Sequence, residues 1–453
     1  MSLHFGNFTF QYTTSRIPSG RSAQGDTMSN QEKATLGQVS RRDFLAAAGT
    51  VGAASALLAT SNYAYARADT KLRVGVIGCG GRGSGAAANC ATSSENVEIY
   101  AMGDAFKDRL DSSLGNLKDA LKDKVNVSED RMFTGLDAYK QVLATGCDMV
   151  ILATPPGFRP IHFKAAVEAG KHVFMEKPVA TDAPGIREVL AAAEVAKAKN
   201  LCVVTGTQRR HQLSYLETIK RIHDGAIGDI VGGQIYWNGG GVGSGTGPIP
   251  ANPTVEWQIR HWYFFTWLSG DHITEQHVHN IDVANWVMKG HPESAMGVGG
   301  RSQRTAEIYG QIFDHFAIDY TYPGGVHIAS MCRHWDNTPG NVSEHFVGTK
   351  GATDANSWIS GSAPYKFEGG GKDPYVQEHT DLIAAIRSGK TINEAKRVAE
   401  STLTAIMGRM AAYTGQVITW EQALNSKENL RPAPLAFNTP APVPPVAVPG
   451  KVA

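Results

Sequence analysis

The chain has 453 residues, 42% of them hydrophobic, and a formal net charge of +1. It is long enough for two domains with sizeable cores. Because acidic and basic residues are interspersed and nearly balanced, the composition disfavours a nucleic-acid or anionic-membrane surface and leaves a small molecule as the expected partner.

The cysteines show neither C-x-x-C spacing nor an even framework of pairs. They are Cys79, Cys90, Cys147, Cys202 and Cys332. A disulfide-stapled secreted module would be shorter and richer in cysteine, and zinc knuckles need paired ligands. We expect ordinary core thiols.

Residues 1–66 are interpreted as a leader. The stretch "SRRDFL" beginning at Ser40 matches the twin-arginine export signal S-R-R-x-F-L, and an Ala/Gly-rich apolar run continues to Ala59. That run is too short for a spanning helix, and "AYA" offers a cleavage site after Ala66. We expect a periplasmic protein without a membrane span after processing; the alternative is an Ala-rich helix with a chance arginine pair.

Residues 70–200 alternate between buried apolar runs and helical stretches. The runs are "LRVGVIG", "VEIYAMGD", "DMVILAT", "HVFMEKP" and "LCVVTGT". Alternation of this kind predicts an α/β domain with a parallel, doubly wound Rossmann sheet.

Residues 201–430 have a different character. Longer runs with alternating or aromatic pattern, such as "FAIDYTYPGGVHIASMCRHW" with its hairpin at Pro323-Gly324-Gly325, predict an open, mostly antiparallel sheet. Helical stretches return at "YVQEHTDLIAAIRSGK" and "NEAKRVAESTLTAIMGRMAAYTG". We therefore expect a second α/β domain, followed at residues 431–453 by a Pro-rich tail that should not form a packed element.

A glycine-rich turn follows the first predicted strand. Its G-x-G-x-x-G pattern comprises Gly78, Gly80, Gly81, Arg82 and Gly83. The glycines allow a tight turn and close approach to a pyrophosphate, and the next helix offers unpaired N–H groups. Asp104 ends the second predicted strand, where a carboxylate binds an adenine ribose and repels a 2′-phosphate. NAD is therefore favoured over NADP, although Arg82 and Arg109 could soften that preference.

Four segments together resemble the Gfo/Idh/MocA oxidoreductases over roughly residues 72–415. They are "RVGVIGCGGRG", "ILATPPGFRPIHFKAAVEAGKHVFMEKPVATD", "IKRIHDGAIGDI" and "WLSGDHITEQHVHNIDVANWV". The resemblance implies a Rossmann domain followed by an α/β domain whose open sheet covers the nicotinamide and often forms the oligomer contact. We therefore expect a homo-oligomer, a dimer or a tetramer.

The resemblance also implies roles for individual residues. The lysine of Glu176-Lys177-Pro178 lies at cofactor and substrate in the family, and the family's D-x-x-x-H pair, which supplies the general base, maps to Glu275 and His279. Glutamate replaces the usual aspartate here, and Asp271 replaces a usual glycine just before it.

Hydride transfer from an alcohol requires the same residue types. Hydride removal from a secondary alcohol requires a base for the hydroxyl proton, which suits imidazole, and an ammonium can hydrogen-bond the developing alkoxide. On the expected helix, positions 275 and 279 are four apart and share a face, so Glu275 could orient His279 or bind a sugar hydroxyl.

Further residues are assigned to cofactor or substrate. Thr154, Pro155 and His162 resemble the family segment that passes under the cofactor, and Gln208 and Arg209 follow the fifth predicted strand where the cleft opens.

The aromatic stretch "VEWQIRHWYFFTW" contains flat rings such as Trp257, which suit the apolar face of a sugar, and the interleaved Arg260 and His261, which could reach its hydroxyls. An aromatic helix buried in a domain or subunit interface is an equal alternative. His277 is a further substrate candidate. Glu275, His277 and His279 resemble a metal cluster on paper, but the spacing matches no strong zinc signature, so we expect no metal.

Together these features lead to a functional expectation. An exported enzyme meets little free NAD, so it must keep its nicotinamide through each cycle. We expect an exported NAD(P)-dependent oxidoreductase acting on a sugar, glycoside or polyol. The alternatives are a redox-neutral glycosidase that uses NAD, and a sugar-binding protein without turnover.

Overall fold

The computed structural model describes residues 70–451. The predicted export signal at residues 40–59 and the cleavage site after Ala66 lie outside these residues.

The first domain contains a six-stranded sheet in which all neighbouring strands run parallel. Its strands are β1 (Leu72–Ile77), β2 (Val97–Asp104), β3 (Met132–Thr134), β4 (Met149–Leu152), β5 (His172–Met175) and β6 (Val203–Thr205). Their order is β3-β2-β1-β4-β5-β6, so the chain changes direction between β1 and β4. Such a switch point opens a crevice at the carboxyl ends of the strands. The predicted doubly wound sheet is confirmed, and β3 is an addition to it.

Helices connect these strands in sequence. They are α1 (Gly81–Ser93), α2 (Lys107–Leu121), α3 (Ala138–Ala144), α4 (Arg159–Glu168) and α5 (Ala183–Ala198). Strands β4 and β5 are buried along their whole length, because helices cover both faces of the sheet, and this explains their continuous apolar sequences.

The second domain contains a nine-stranded mixed sheet. Its strands are β7 (Ile230–Gly239), β8 (Ser294–Gly300), β9 (His315–Tyr322), β10 (Val326–His334), β11 (Asn341–Gly348), β12 (Gly351–Thr353), β13 (Trp358–Gly361), β14 (Tyr365–Lys366) and β15 (Ile418–Thr419). Their order is β14-β13-β12-β11-β7-β10-β9-β8-β15. The β7 and β10 pair is parallel and the other neighbours are antiparallel, so the predicted, mostly antiparallel sheet is confirmed.

One face of this sheet is covered by helices and the other is open. The helices of this part of the chain are α6 (Leu213–His223), α7 (Val255–Arg260), α8 (Thr266–Ser269), α9 (His272–Glu275), α10 (Val278–Val287), α11 (Pro374–Ser388), α12 (Ala395–Thr414) and α13 (Trp420–Asn425). Along β9, residues alternate between buried and half-buried, as a sheet covered on one side requires.

The last long helices return to the first domain. Leu382 and Ile383 of α11 belong to the same apolar core as β1 and α1, and α12 shares a core with α5 and with the second sheet. The two domains are therefore joined by continuous cores as well as by the chain connection near residue 210.

The Pro-rich tail packs against the protein, contrary to the prediction for residues 431–453. Ala441 is buried, and Leu435, Phe437 and Val443 pack on an aromatic cluster that includes α7. Proline prevents a regular helix or long strand here, but it does not prevent single apolar side chains and free carbonyl groups from finding partners.

Candidate functional site

A cavity of about 490 Å³ lies at the carboxyl ends of β1, β2, β4 and β5 and is lined by residues of both domains. That volume suits a cofactor with a small substrate. Predicted site residues that line it are Gly78, Gly80, Gly81, Arg82, Asp104, Thr154, Pro155, His162, Glu176, Lys177, Glu275 and His279.

The glycine turn forms one wall of this cavity. Gly78 has φ +94°, and a Cβ on Gly83 would lie 1.8 Å from the Gly78 carbonyl oxygen, so the turn closes tightly and Gly83 sits behind the wall. At Gly80 and Gly81 a Cβ would meet no atom within 4 Å. Gly80 is also the N-cap of α1 and offers no side chain to the first-turn N–H groups. The turn therefore fits a pyrophosphate, as predicted for a dinucleotide.

Asp104 lies beside the turn at the end of β2. One carboxylate oxygen accepts the Cys79 N–H at 2.6 Å and the other accepts the Phe106 N–H at 2.9 Å. Burial raises the pKa of this carboxyl, and the two backbone N–H donors oppose that rise. These bonds fix the carboxylate at the cavity wall, where a ribose hydroxyl would meet it. We call this region the Asp104 end.

Lys177, after β5, lies at the other end of the cavity, which we call the Lys177 end. Its Nζ donates to the Glu275 main-chain carbonyl and lies 3.1 Å from the Glu275 carboxylate. Both side chains are largely buried, at 13% and 15% exposure. An ammonium has three donors, so one N–H remains for a ligand oxygen in the cavity.

His279 is buried beside this ion pair. Its ring stacks on Trp237 of β7, with centroids 5.7 Å apart. Burial, followed by the positive charges of Lys177 and Arg209, holds the pKa of His279 well below its ordinary value. The imidazole is therefore neutral near pH 7 and able to accept a proton.

Glu275 and His279 do not share one helix, as the prediction assumed. Helix α9 ends at Glu275 and α10 begins at Val278. The break is anchored at His277, whose Nε2 lies 2.7 Å from the Ser330 hydroxyl of β10. Both predicted residues still reach the cavity, from two short helices rather than from one face.

Asp271, before α9, has φ +70°, in the region that favours glycine. Its buried carboxylate accepts the His272 N–H at 2.6 Å, the Phe313 N–H at 2.8 Å and the Tyr413 hydroxyl at 2.6 Å. These bonds offset the cost of the backbone conformation, which explains why aspartate can stand where the family resemblance implies glycine.

The loop after β4 is held by an arginine that the sequence analysis did not single out. Arg159 is buried and donates to the carbonyl oxygens of Glu176 at 3.0 Å, Leu152 at 2.5 Å and Thr154 at 2.6 Å. Next to it, His162 Nδ1 lies 3.1 Å from the Thr154 hydroxyl. Burial and the Arg159 charge lower the pKa of His162 to about 3, so this imidazole is neutral.

Arg82 crosses the cavity from the glycine turn. It pairs with Glu176 and lies 3.3 Å from Glu378 of α11, and its guanidinium stands 5.0 Å from the ring centre of Tyr375. Burial and the neighbouring Glu176 charge raise the pKa of Glu378 well above its ordinary value. Tyr375 also lines the cavity. Helix α11 therefore contributes to the site, although every predicted site residue precedes this helix in the chain.

The predicted substrate residues that lie outside the cavity lining are Arg209, His277, Trp257 and His261. Arg209 pairs with Glu344 beneath Trp237, and His277 is fully buried against β10. Trp257 and His261 contact each other, with ring centroids 4.9 Å apart and planes tilted by 44°, in the segment that covers the Asp104 end.

Further residues also line the cavity, and Gln208 and Arg260 among them were expected at the substrate cleft. They include Phe106, Leu136, Gln208, Ile259, Arg260 and Trp262. Ile259, Arg260 and Trp262 lie within the predicted aromatic stretch, which was the signal available in the sequence. Phe106 and Leu136 are ordinary apolar residues by pattern, so no local signal marks them.

Within residues 70–451, no group of three or more His, Cys, Asp or Glu side chains is arranged to hold a metal ion. No helix in this part of the chain is long and apolar enough to cross a membrane. All five cysteines are buried and form no disulfide, which confirms the predicted core thiols.

Two family models match the chain. The model described as "Oxidoreductase family, NAD-binding Rossmann fold" matches residues 72–205, and "GFO/IDH/MocA C-terminal domain" matches residues 215–354.

Curated relatives match over shorter stretches. A "Glycosyl hydrolase family 109 protein" of Streptomyces coelicolor is 30% identical over 36% of this chain and 33% of its own length. A "scyllo-inositol 2-dehydrogenase (NAD(+))" of Bacillus subtilis is 27% identical over 51% of this chain and 57% of its own length. The chain thus matches less than two thirds of either relative.

Solved structures share the fold over a larger part of the chain. The Lactobacillus casei scyllo-inositol dehydrogenase with bound NAD(H) and scyllo-inositol has a TM-score of 0.60 and 18% identity, covering 78% of this chain and 99% of its own. The Caulobacter crescentus aldose-aldose oxidoreductase complexed with glycerol has a TM-score of 0.61 and 18% identity, covering 77% and 99%.

Proposed function

Since the chain belongs to the GFO/IDH/MocA oxidoreductase family, we propose that it is an exported NAD(P)-dependent oxidoreductase. In this proposal it transfers hydride between a secondary alcohol carbon of a sugar, glycoside or polyol and a tightly held nicotinamide. The observation that carries the proposal is one cavity with a pyrophosphate turn and Asp104 at one end and Lys177, Glu275 and His279 at the other.

The residues at the Lys177 end divide the work between them. The chemistry supplied by a bound nicotinamide is reversible hydride acceptance. His279, whose imidazole is unprotonated, accepts the hydroxyl proton of the substrate. Lys177 donates a hydrogen bond to the same substrate oxygen and stabilises its developing negative charge. Glu275 holds the Lys177 ammonium through two contacts and leaves one N–H for the substrate.

Substrate class is supported by the names of the relatives, several of which are inositol dehydrogenases. NAD is the favoured cofactor, because Asp104 would repel the 2′-phosphate of NADP. Export through the twin-arginine pathway is inferred from the leader sequence alone. A folded protein that crosses the membrane with its nicotinamide needs no supply of cofactor outside.

Three measurements test the proposal. Denatured pure protein should release NAD(H), identified by mass spectrometry; protein that holds none and binds none when it is added contradicts the proposal. A panel of inositols, aldoses and glycosides should include one that changes the nicotinamide absorbance of the loaded protein. Replacing Arg41 and Arg42 together by lysine should keep the protein in the cytoplasm.

A redox-neutral glycosidase that uses NAD is the second candidate. It is favoured by the glycosyl hydrolase family 109 relatives. In that case a chromogenic glycoside would be cleaved without net formation of reduced nicotinamide, whereas a free sugar would produce no lasting absorbance change.

A further inference from the structure

We propose that residues 253–264 together with residues 435–443 form a cover that contacts the adenosine half of the dinucleotide and slows its release. This inference rests on the proposed function, since it concerns how the cofactor is retained. The cover belongs to the second domain and the tail, yet it borders the Asp104 end of the cavity.

The inner layer of the cover faces the cavity directly. Ile259, Arg260 and Trp262 line it together with Phe106 and Leu136. An adenine ring is flat and apolar on its faces, and aromatic rings and guanidinium planes are the groups on which bases stack. This wall lies next to the Asp104 carboxylate, where the adenine ribose is expected, so its chemistry fits an adenosine.

The outer layer of the cover is the tail segment, residues 435–443, which forms hydrogen bonds with the inner layer at several points. The Val255 N–H donates to the Thr439 carbonyl at 2.9 Å, and the Glu256 N–H to the Phe437 carbonyl at 3.1 Å. The side chain of Gln258 donates to the Ala441 carbonyl at 2.7 Å. Helix α7 has only six residues, and isolated helices of this length are not stable. The tail therefore holds it in place.

Phe106 joins the cover to the nucleotide-binding domain. Its ring stacks on Phe437 with centroids 5.8 Å apart, and the Arg260 guanidinium lies 3.8 Å from its ring centre. Arg260 also lies 3.4 Å from Asp108, but both side chains are solvent-exposed, so that pair contributes little. The contacts of Phe437 and Arg260 with the Phe106 ring therefore hold the cover against the nucleotide-binding domain.

Release of the adenosine requires the cover to separate from Phe106. Removing the Trp262 ring takes away a contact between the cover and the bound adenosine. Removing the Phe437 ring weakens the contact between the cover and Phe106 but leaves the cavity lining unchanged. Both changes should speed release, for different reasons.

The test compares Trp262→Ala and Phe437→Ala with two matched controls. Trp358→Ala removes a half-buried ring from β13, which lies outside both the cover and the cavity lining. Val446→Ala trims a tail residue that packs on the other core. Full-length protein is loaded with NADH and chased with excess NAD⁺, and the loss of bound-NADH fluorescence gives the dissociation rate. Thermal melts without nucleotide confirm that each variant is folded.

We expect Trp262→Ala and Phe437→Ala to release NADH at least tenfold faster, equivalent to about 1.4 kcal/mol, and both controls to stay within about twofold of the wild type. Equal rates in all five proteins would overturn the cover while leaving the proposed oxidoreductase intact. An equal acceleration in the controls would also overturn it, since the effect would then be general loosening. Wild-type protein that binds no NADH would refute both proposals.

Discussion

A single methyl group at two positions of the glycine turn should separate folding from cofactor binding. At Gly83 an added Cβ would lie 1.8 Å from the Gly78 carbonyl oxygen and 3.3 Å from the Ala153 Cβ. The first distance is about 1.5 Å too short for contact, and both neighbours are fixed in the core of the domain. Overpacking of this kind costs about 1–3 kcal/mol, and because one neighbour is main chain we expect about 3 kcal/mol of destabilisation for Gly83→Ala.

At Gly80 the same methyl group meets no atom within 4 Å. The backbone there, with φ −71° and ψ −176°, is accessible to alanine, so Gly80→Ala should keep the stability of the free protein. A methyl group on the cavity wall keeps the pyrophosphate from the first-turn N–H groups of α1. We therefore expect NADH affinity to fall at least tenfold, or by about 1.4 kcal/mol.

Thermal melts of the nucleotide-free proteins measure the first effect, and calorimetric titration with NADH measures the second. With an unfolding entropy of about 2.1 cal/mol/K per residue, 3 kcal/mol corresponds to a fall in Tm of about 3–4 °C for a protein of this size. Gly115→Ala in α2 is the control, because its Cβ also meets open space but lies away from the cavity. Gly83→Ala with the wild-type Tm, or Gly80→Ala with the wild-type affinity, would refute the reasoning.

Three further changes follow from the same structure. Lys177→Met should lower turnover at least about 100-fold while NADH binding, measured by fluorescence titration, remains. Because burial and neighbouring cations lower the pKa of His279, kcat/KM should stay level from pH 8 down to about 6.5 and fall only at lower pH; a fall centred above pH 6.5 would contradict this. His211 Nδ1 lies 2.6 Å from the Asp381 carboxylate. Burial lowers the pKa of His211, but hydrogen bonds to Asp381 and Glu394 outweigh burial and raise this pKa to about 9. Protonated His211 therefore stabilises the folded protein fully below about pH 6.5, and this stabilisation is lost as the pH rises through 9. His211→Gln should lower the Tm more at pH 6 than at pH 10. The difference between the two pH values should correspond to at most about 3 kcal/mol of folding stability.

The glycine turn and Asp104 could be found from the sequence because their signals are local, and Lys177 was found because its motif resembles that of the family. Each is a residue type at the end of an apolar run, and parallel strands bring such ends to one edge of the sheet. Strand β3 was missed for the complementary reason. It has three residues, none of them buried, and it pairs only with β2, so it leaves no continuous apolar run.

The geometry around His279 shows where local spacing fails. Positions 275 and 279 suggest one helical face, but the segment divides into two helices at residues 276–277, where His277 contacts Ser330. Ser330 is separated from His277 by 53 residues. A contact between residues so far apart in the chain depends on how the second sheet folds. The pattern of residues around His277 therefore cannot predict it.

The aromatic stretch at residues 255–267 illustrates the same point for function. Rings with interleaved polar groups fit a sugar and an adenosine equally well, because both are flat or flat-faced ligands with hydroxyl groups. What selects between them is which end of the cavity the stretch covers. That is decided by its bond from Gln258 to Ala441, 183 residues later, and by the Phe437 ring on Phe106. A tail that looks featureless by composition thus directs a distant segment toward the cofactor. If the protein is exported as we propose, contacts of this kind would supply the retention that a high free concentration of cofactor makes unnecessary inside the cell.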